Sequence, residues 1–235
     1  MMQGVSMLIH GMSKSGKSYF GDSAPAPRLI LDAEGGASTR FTSSQKVVWD
    51  PTRDAPPTYD GTWETCVVYV RSFQDVQKVY DWLNSGKHSF QSVVIDSLSE
   101  TQQRCIDALV GTDQMKTQDW GDLLRKMSAL VRSYRDLIIH PTNPMQAVIF
   151  IAMTREFNNV RRPYVQGQLS NTLPYYVDVC GYLWAELNEE GEVKRRLLCA
   201  QHSAFEAGDR TGKLGNVIDN PDVISMLEMI YGSRN

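Results

Sequence analysis

The sequence predicts an α/β fold, a mostly parallel sheet flanked by helices with a C-terminal antiparallel hairpin at its edge. Three observations carry that expectation. Short apolar, β-branched-rich runs recur along the chain, amphipathic helical patterns lie between several of them, and a glycine-rich loop follows the first run directly. Strands that alternate with helices pair in parallel, because each crossover returns the chain to the same end of the sheet.

The runs are Val5 to His10, Arg28 to Asp32, Lys46 to Trp49, Cys66 to Val70, Ser92 to Asp96 and Ala147 to Ala152. "FQDVQKVYDWLNSG" puts Phe73, Val76, Val79, Tyr80 and Leu83 on one helical face and stops at Gly86, and "WGDLLRKMSALVRSYRDLII" repeats Leu123, Leu124, Met127, Leu130, Val131 and Tyr134 at the same spacing. Pro-rich "DPTRDAPPTYDGT" reads as a surface excursion between strands. "YLWAEL" and "KRRLLCA" around "NEEGEV" read as the edge hairpin, and "NPDVISMLEMIYG" as a last helix. The expected organisation is one domain over residues 1–235, with a core over 1–178 and the hairpin and helix over 179–235.

The totals narrow the function classes. A chain of 235 residues with 42% hydrophobic and 22% charged residues is long enough for a sizeable core. No apolar run nears the roughly 20 residues that cross a bilayer, and "MMQGVSMLIHG" lacks the basic start of a signal peptide, so the expected setting is a cytoplasm with no membrane partner. Cys66, Cys105, Cys180 and Cys199 are too scattered for a zinc or dithiol site and read as buried free thiols. A net charge of −3 excludes a general basic coat and confines any nucleic-acid contact to a local basic segment. Arg125, Lys126, Arg132 and Arg135, and likewise Lys194, Arg195 and Arg196, read as solvated faces.

Chemistry concentrates in "LIHGMSKSGKSYF", which satisfies G-x-x-x-x-G-K-[ST]. Gly11, Met12, Ser13, Lys14, Ser15, Gly16, Lys17, Ser18 and Tyr19 form the expected nucleotide-binding stretch. Its glycines let backbone N–H groups turn toward phosphate oxygens, Lys17 reaches the terminal phosphates, and Ser18 offers a hydroxyl to magnesium. Asp96 ends the buried-strand run "SVVID", where it can support the metal and cap the next helix together. Glu34 stands just beyond "RLILD", followed by Gly35 and Gly36, where a carboxylate can polarise a water attacking the γ-phosphate.

The phosphate loop, then "LDAEGG", "VVIDSLS" and "AVIFIAMTREF" in that order, resemble the ATPase core of RecA-type recombinases without their flanking domains. The likeness extends through "AGDRTGKLGN" and is greatest to small phage-encoded RecA-like nucleotide-binding proteins, a group that includes Sak-type single-strand annealing ATPases. That resemblance implies ATP and Mg2+ as cofactors, Glu34 as general base and Asp96 as metal support. It also implies a homo-oligomeric ring or filament, single-stranded DNA as partner, a single-strand DNA-binding protein as a possible second partner, and a host cytoplasm. The family's Asn-Gln sensor pair is replaced here by Ala152 and Met153, so either Thr154 or Arg155 takes the sensor's place or the coupling of nucleotide to DNA is weak or differently built. Two DNA-facing loops correspond to residues 110–121 and 154–174. The second carries Arg155, Arg161, Arg162 and Tyr164, cations and an aromatic face suited to a single strand, and reads equally as a solvated loop. Arg210 matches the place from which such ATPases reach a neighbour's γ-phosphate, with Lys213 as the fallback. Two other functions stay open: a nucleotide-switched assembly factor that scarcely hydrolyses ATP, and a packaging or helicase-type DNA motor.

Overall fold

A computed structural model describes residues 4–42 and 45–232; residues 1–3, the start of the N-terminal segment considered above, lie outside them. The chain runs through β1 (Val5–Gly11), α1 (Lys17–Asp22), β2 (Arg28–Asp32), α2 (Ala37–Arg40), β3 (Lys46–Val48), β4 (Thr65–Tyr69), α3 (Phe73–Asn84), β5 (Ser92–Asp96), α4 (Leu98–Val110) and α5 (Thr117–Asp136). It continues through β6 (Ala147–Phe157), β7 (Val160–Tyr164), α6 (Leu169–Tyr176), β8 (Val179–Leu187), β9 (Val193–Leu198), β10 (Gly208–Asp209), β11 (Val217–Asp219) and α7 (Val223–Tyr231).

The strands form one sheet in the order β11-β9-β8-β1-β6-β5-β2-β4-β3, with β7 paired to β6 and β10 to β8. From β8 to β3 every neighbouring pair along this path is parallel, and the β8–β9 hairpin extends the sheet antiparallel as the sequence predicts, with β11 added outside β9. The hairpin is more than an appendage, because Met7 to His10 of β1 pair in register with Val179 to Tyr182 of β8.

Alternation along the strands builds a core on each face. Leu8, Leu31, Ile95, Val148 and Phe150 point to the layer of α3, α4 and α5, where Val76, Val79, Leu123, Met127 and Tyr134 meet them. Met7, Ile9, Ile30, Val94 and Ile149 point the other way, to Phe20 of α1 and to Val223, Met226 and Ile230 of α7. Burial on both faces is why these strands read as unbroken apolar runs. The Tyr134 hydroxyl, fully buried, donates to the Val76 carbonyl at 2.6 Å, which fastens α5 to α3. The Pro-rich excursion between β3 and β4 is pinned by buried Trp49 and Trp63, both against Phe90. All four cysteines are buried and unpaired. Among the described residues no helix is long and apolar enough to cross a membrane.

Two expectations are corrected here. Residues 154–174 are not an irregular loop: β6 runs on to Phe157, Asn158 and Asn159 turn at positive φ, β7 returns antiparallel, and α6 follows. Asparagine tolerates the left-handed conformation that a two-residue hairpin turn requires, so the Asn-Asn pair was the available signal. In the segment 110–121, residues from Thr117 already belong to α5, which leaves only a short connection after Gly111.

Candidate functional site

The site lies at the carboxyl ends of β1, β5 and β2, where a parallel sheet leaves a crevice. β6 separates β1 from β5, and the register sets Asp96 opposite Ile151 and Ile151 opposite Ile9. The two strand ends are therefore roughly 10 Å apart, two strand spacings.

Gly11 ends β1 against the Leu183 carbonyl of β8, where a Cβ has no room. Lys14 and Gly16 both take positive φ, which curls the loop before α1 begins at Lys17. The Lys17 ammonium donates to the Gly11 carbonyl at 3.0 Å and the Met12 carbonyl at 2.8 Å, so the loop's own oxygens hold it over the loop. Burial lowers its pKa, while the charges of Glu34 and Asp96 pull it back up. Ser15 Oγ is buried in the same loop without a hydrogen-bond partner among the described residues.

The Ser18 hydroxyl lies close enough to Asp96 to favour its charged form, which brings together the two side-chain oxygens expected at magnesium. Burial raises the Asp96 pKa; Arg40, 3.2 Å from its Oδ2, and the Ser18 hydroxyl act against that rise. Arg40 also pairs with Asp22 at 3.0 Å, whose own carboxyl burial pushes up to about 6. The Asp96 carboxylate and the Ser18 hydroxyl beside a glycine-rich anion cradle fit a magnesium nucleotide.

Glu34 is exposed at the mouth of the crevice, and its carboxylate accepts a hydrogen bond from Ser97 Oγ. Neighbouring Asp32 does different work: it accepts from the backbone N–H groups of Gly35, Gly36 and Ala37, which fixes the turn that presents Glu34. Gly35, at φ 81°, makes that turn possible.

Thr154 is engaged inside the fold. His10, buried at the end of β1, donates from Nε2 to the Glu206 carbonyl at 2.7 Å, so its Nδ1 accepts the Thr154 hydroxyl at 2.8 Å. Burial lowers its pKa to about 4 and so keeps the ring neutral, with Nδ1 as the acceptor. With its proton committed to His10, Thr154 has none to donate to a phosphate in this arrangement. Arg155 lies elsewhere, with its guanidinium 5.8 Å from the Tyr164 ring centre.

The β6–β7 ribbon sorts the remaining basic residues. Register pairs Met153 with Tyr164, Arg155 with Arg162 and Phe157 with Val160 on one face, while Glu156 and Arg161 share the other. Arg155, Phe157, Arg162 and Tyr164 line a groove of about 560 Å³ with Trp120 of α5. Arg162 is held by Asn171 at 2.6 Å and lies 3.6 Å from Glu206. Arg161 is not part of that groove; it stacks on Phe205 and reaches Glu156 and the Tyr182 hydroxyl.

Arg210 follows β10 at the far end of β8. Its guanidinium, 59% exposed, meets Asp178 at 3.2 Å and the Tyr175 carbonyl at 2.9 Å. The Arg210 N–H donates to the Asp178 carbonyl and the Asp178 N–H to the Ser6 carbonyl, so Arg210 sits roughly 17 Å along β1 from Gly11 in its own chain. Lys213 donates to the Ile230 carbonyl and caps α7.

Sequence reading missed Arg40, Ser97, His10 and Arg195. The expectation of a solvated face at Lys194–Arg196 is corrected at its middle residue: Arg195 turns inward onto Gly16 and Tyr19. The two-residue period of a strand was the signal, since it sends the middle of three basic residues to the opposite face.

No curated protein matches the chain in sequence. A solved ATPase from the type III secretion system of pathogenic bacteria is similar in structure, with a TM-score of 0.47 and 12% identity over 80% of this chain. The match takes in 53% of that protein, so the chain spans about half its length. The model of the AAA domain family matches residues 3–211, and the chain belongs to that family.

Proposed function

We propose that the chain is a magnesium-dependent ATPase that assembles with copies of itself and couples hydrolysis to single-stranded DNA, in strand annealing and recombination of the phage type in a host cytoplasm. The observation that carries the DNA assignment is the ribbon groove. Arg155 stands directly across from Arg162, a like-charge pair that favours an anionic occupant, and Trp120, Phe157 and Tyr164 offer ring faces beside them. The groove is also fastened to the nucleotide side. On α4, Ser99 donates to the Tyr164 carbonyl at 2.6 Å and accepts from Met153 N, and Gln102 bonds the Gln166 backbone on both sides.

In hydrolysis the loop's N–H groups and Lys17 hold the phosphates, and Ser18 and Asp96 would hold magnesium, which screens the charge on the phosphate oxygens. Glu34 takes the proton of the water whose oxygen attacks the γ-phosphorus, and the β–γ bridging oxygen leaves with ADP. Arg210, too far to act in its own chain, supports assembly if it serves a neighbour's site.

Single-turnover ATP hydrolysis with and without single-stranded DNA tests this reading. Stimulation by DNA is the expected result. Equal rates would leave an ATPase without a DNA role, no hydrolysis would favour a nucleotide-switched assembly factor, and strand unwinding would favour a motor.

A further inference from the structure

The β8–β9 hairpin carries Lys194, Arg195 and Arg196 side by side, and the structure treats them differently. Lys194 pairs with Asp219 at 2.6 Å, and Arg196 pairs with Asp219 at 3.0 Å and Glu186 at 3.2 Å, on one face of the sheet. Arg195 points to the other face and lies across the phosphate loop. Its side chain fills the space where a Cβ on Gly16 would stand, with Cζ 3.4 Å from that position, and its guanidinium is 5.5 Å from the Tyr19 ring centre.

No carboxylate lies within ion-pair distance of Arg195 among the described residues, and its Nε is buried without a hydrogen-bond partner. A buried N–H on a full positive charge is costly to leave unpaired. Ser15 Oγ, in the same loop, is unpartnered too. The arginine's backbone is anchored, since its N–H donates to Asn220 Oδ1 at 3.1 Å and its carbonyl accepts from Asn220 N at 2.7 Å, and its side chain rests on Gly16 and Tyr19. A preplaced guanidinium fork without an anion, against the glycine loop of a nucleotide site, lacks one kind of partner: phosphate oxygens.

We propose that Arg195 is a phosphate-binding residue of the nucleotide site, supplied by the edge hairpin of the same chain and acting beside Lys17. The proposal rests on the nucleotide-site reading, and its test separates the two. ATP, inorganic triphosphate and adenosine are each competed against a fluorescent ATP analogue on the full chain and on Arg195→Gln, Arg195→Lys and Lys17→Ala. In Arg195→Gln, ATP and triphosphate should weaken by the same factor, about tenfold to a hundredfold, as expected for a lost charge-assisted hydrogen bond. Adenosine should be unaffected, and Arg195→Lys should recover part of the loss.

Triphosphate binding to Arg195→Gln with wild-type affinity overturns the proposal, and so does a loss confined to adenosine, which would give the arginine to the base. If the wild-type chain binds neither ATP nor triphosphate, the nucleotide-site reading falls first and takes this one with it. Should Arg195→Gln fail to fold, phenylglyoxal footprinting of the wild-type chain decides: triphosphate should slow modification of Arg195 several-fold, and an unchanged rate overturns the assignment.

Discussion

Ser97 Oγ donates a 2.5 Å hydrogen bond to Glu34 Oε1 and thereby ties the helix after β5 to the carboxylate that follows β2. The serine is buried, whereas the glutamate it holds is exposed. Glu34→Gln should keep ATP affinity within about twofold and lower single-turnover hydrolysis by about 10² to 10⁴, because an amide cannot accept the water's proton. Ser97→Ala should cost roughly tenfold, the effect of one orienting hydrogen bond. Turnover that survives Glu34→Gln would put the base on another residue.

On the ribbon, charge and stacking should separate by salt dependence. Arg155→Ala combined with Arg162→Ala should reduce the log–log salt slope of single-strand binding by about 1.4, at about 0.7 per phosphate contact. Tyr164→Ala should lower affinity by about 1 to 3 kcal/mol with the slope unchanged, since stacking releases no counterions. Arg161→Ala should leave the slope as it is, because that side chain faces Glu156 on the opposite side. A slope that responds to Arg161 and not to Arg155 or Arg162 would move the DNA to the other face.

Arg210 sets a test of assembly. Arg210→Ala and Lys17→Ala proteins should each be inactive alone, and mixing them should restore part of the hydrolysis by pairing an intact loop with an intact arginine across an interface. If co-assembled mixtures recover nothing, or if the Arg210 variant hydrolyses normally, the arginine serves only its own Asp178.

His10 predicts a pH signature. Its folded pKa of about 4 is below the ordinary value of 6.5, so the unfolded chain binds the extra proton first. The associated stability is complete above pH 6.5 and is lost as pH falls toward 4, about 3 kcal/mol over the window. His88, also lowered to about 4, acts in the same direction, and Asp22, raised to about 6, in the opposite one. The comparison is therefore wild type against His10→Gln, whose side chain can still meet both Glu206 and Thr154. Urea titrations at pH 7.5 and pH 4 should show the wild type's advantage shrinking by that amount, and a constant difference would mean that the ring titrates normally.

What the sequence disclosed follows from how each residue is surrounded. β1, β2, β5 and the first half of β6 are buried on both faces, so their apolar runs announce them, and the phosphate loop is a contiguous motif. β7 was hidden because its "VRRPY" is only half buried and reads as polar, and α6 because Pro174 interrupts its pattern. Arg40 and Ser97 carry no spacing signal: the fold alone brings them to Asp96 and Glu34. Lys194–Arg196 looked like one charge run, although its members answer to opposite faces of a strand.

The pairing of β1 with β8 also bears on how the protein is made. A nascent chain leaves the ribosome with its glycine loop complete long before β8 and β9 emerge. Until then one long edge of β1 carries unmatched amide and carbonyl groups, the kind of strand edge that invites pairing with a foreign chain. Stalled or truncated translation products that stop before Val179 should thus be aggregation-prone, and the emergence of β8 is the step that covers this edge of β1.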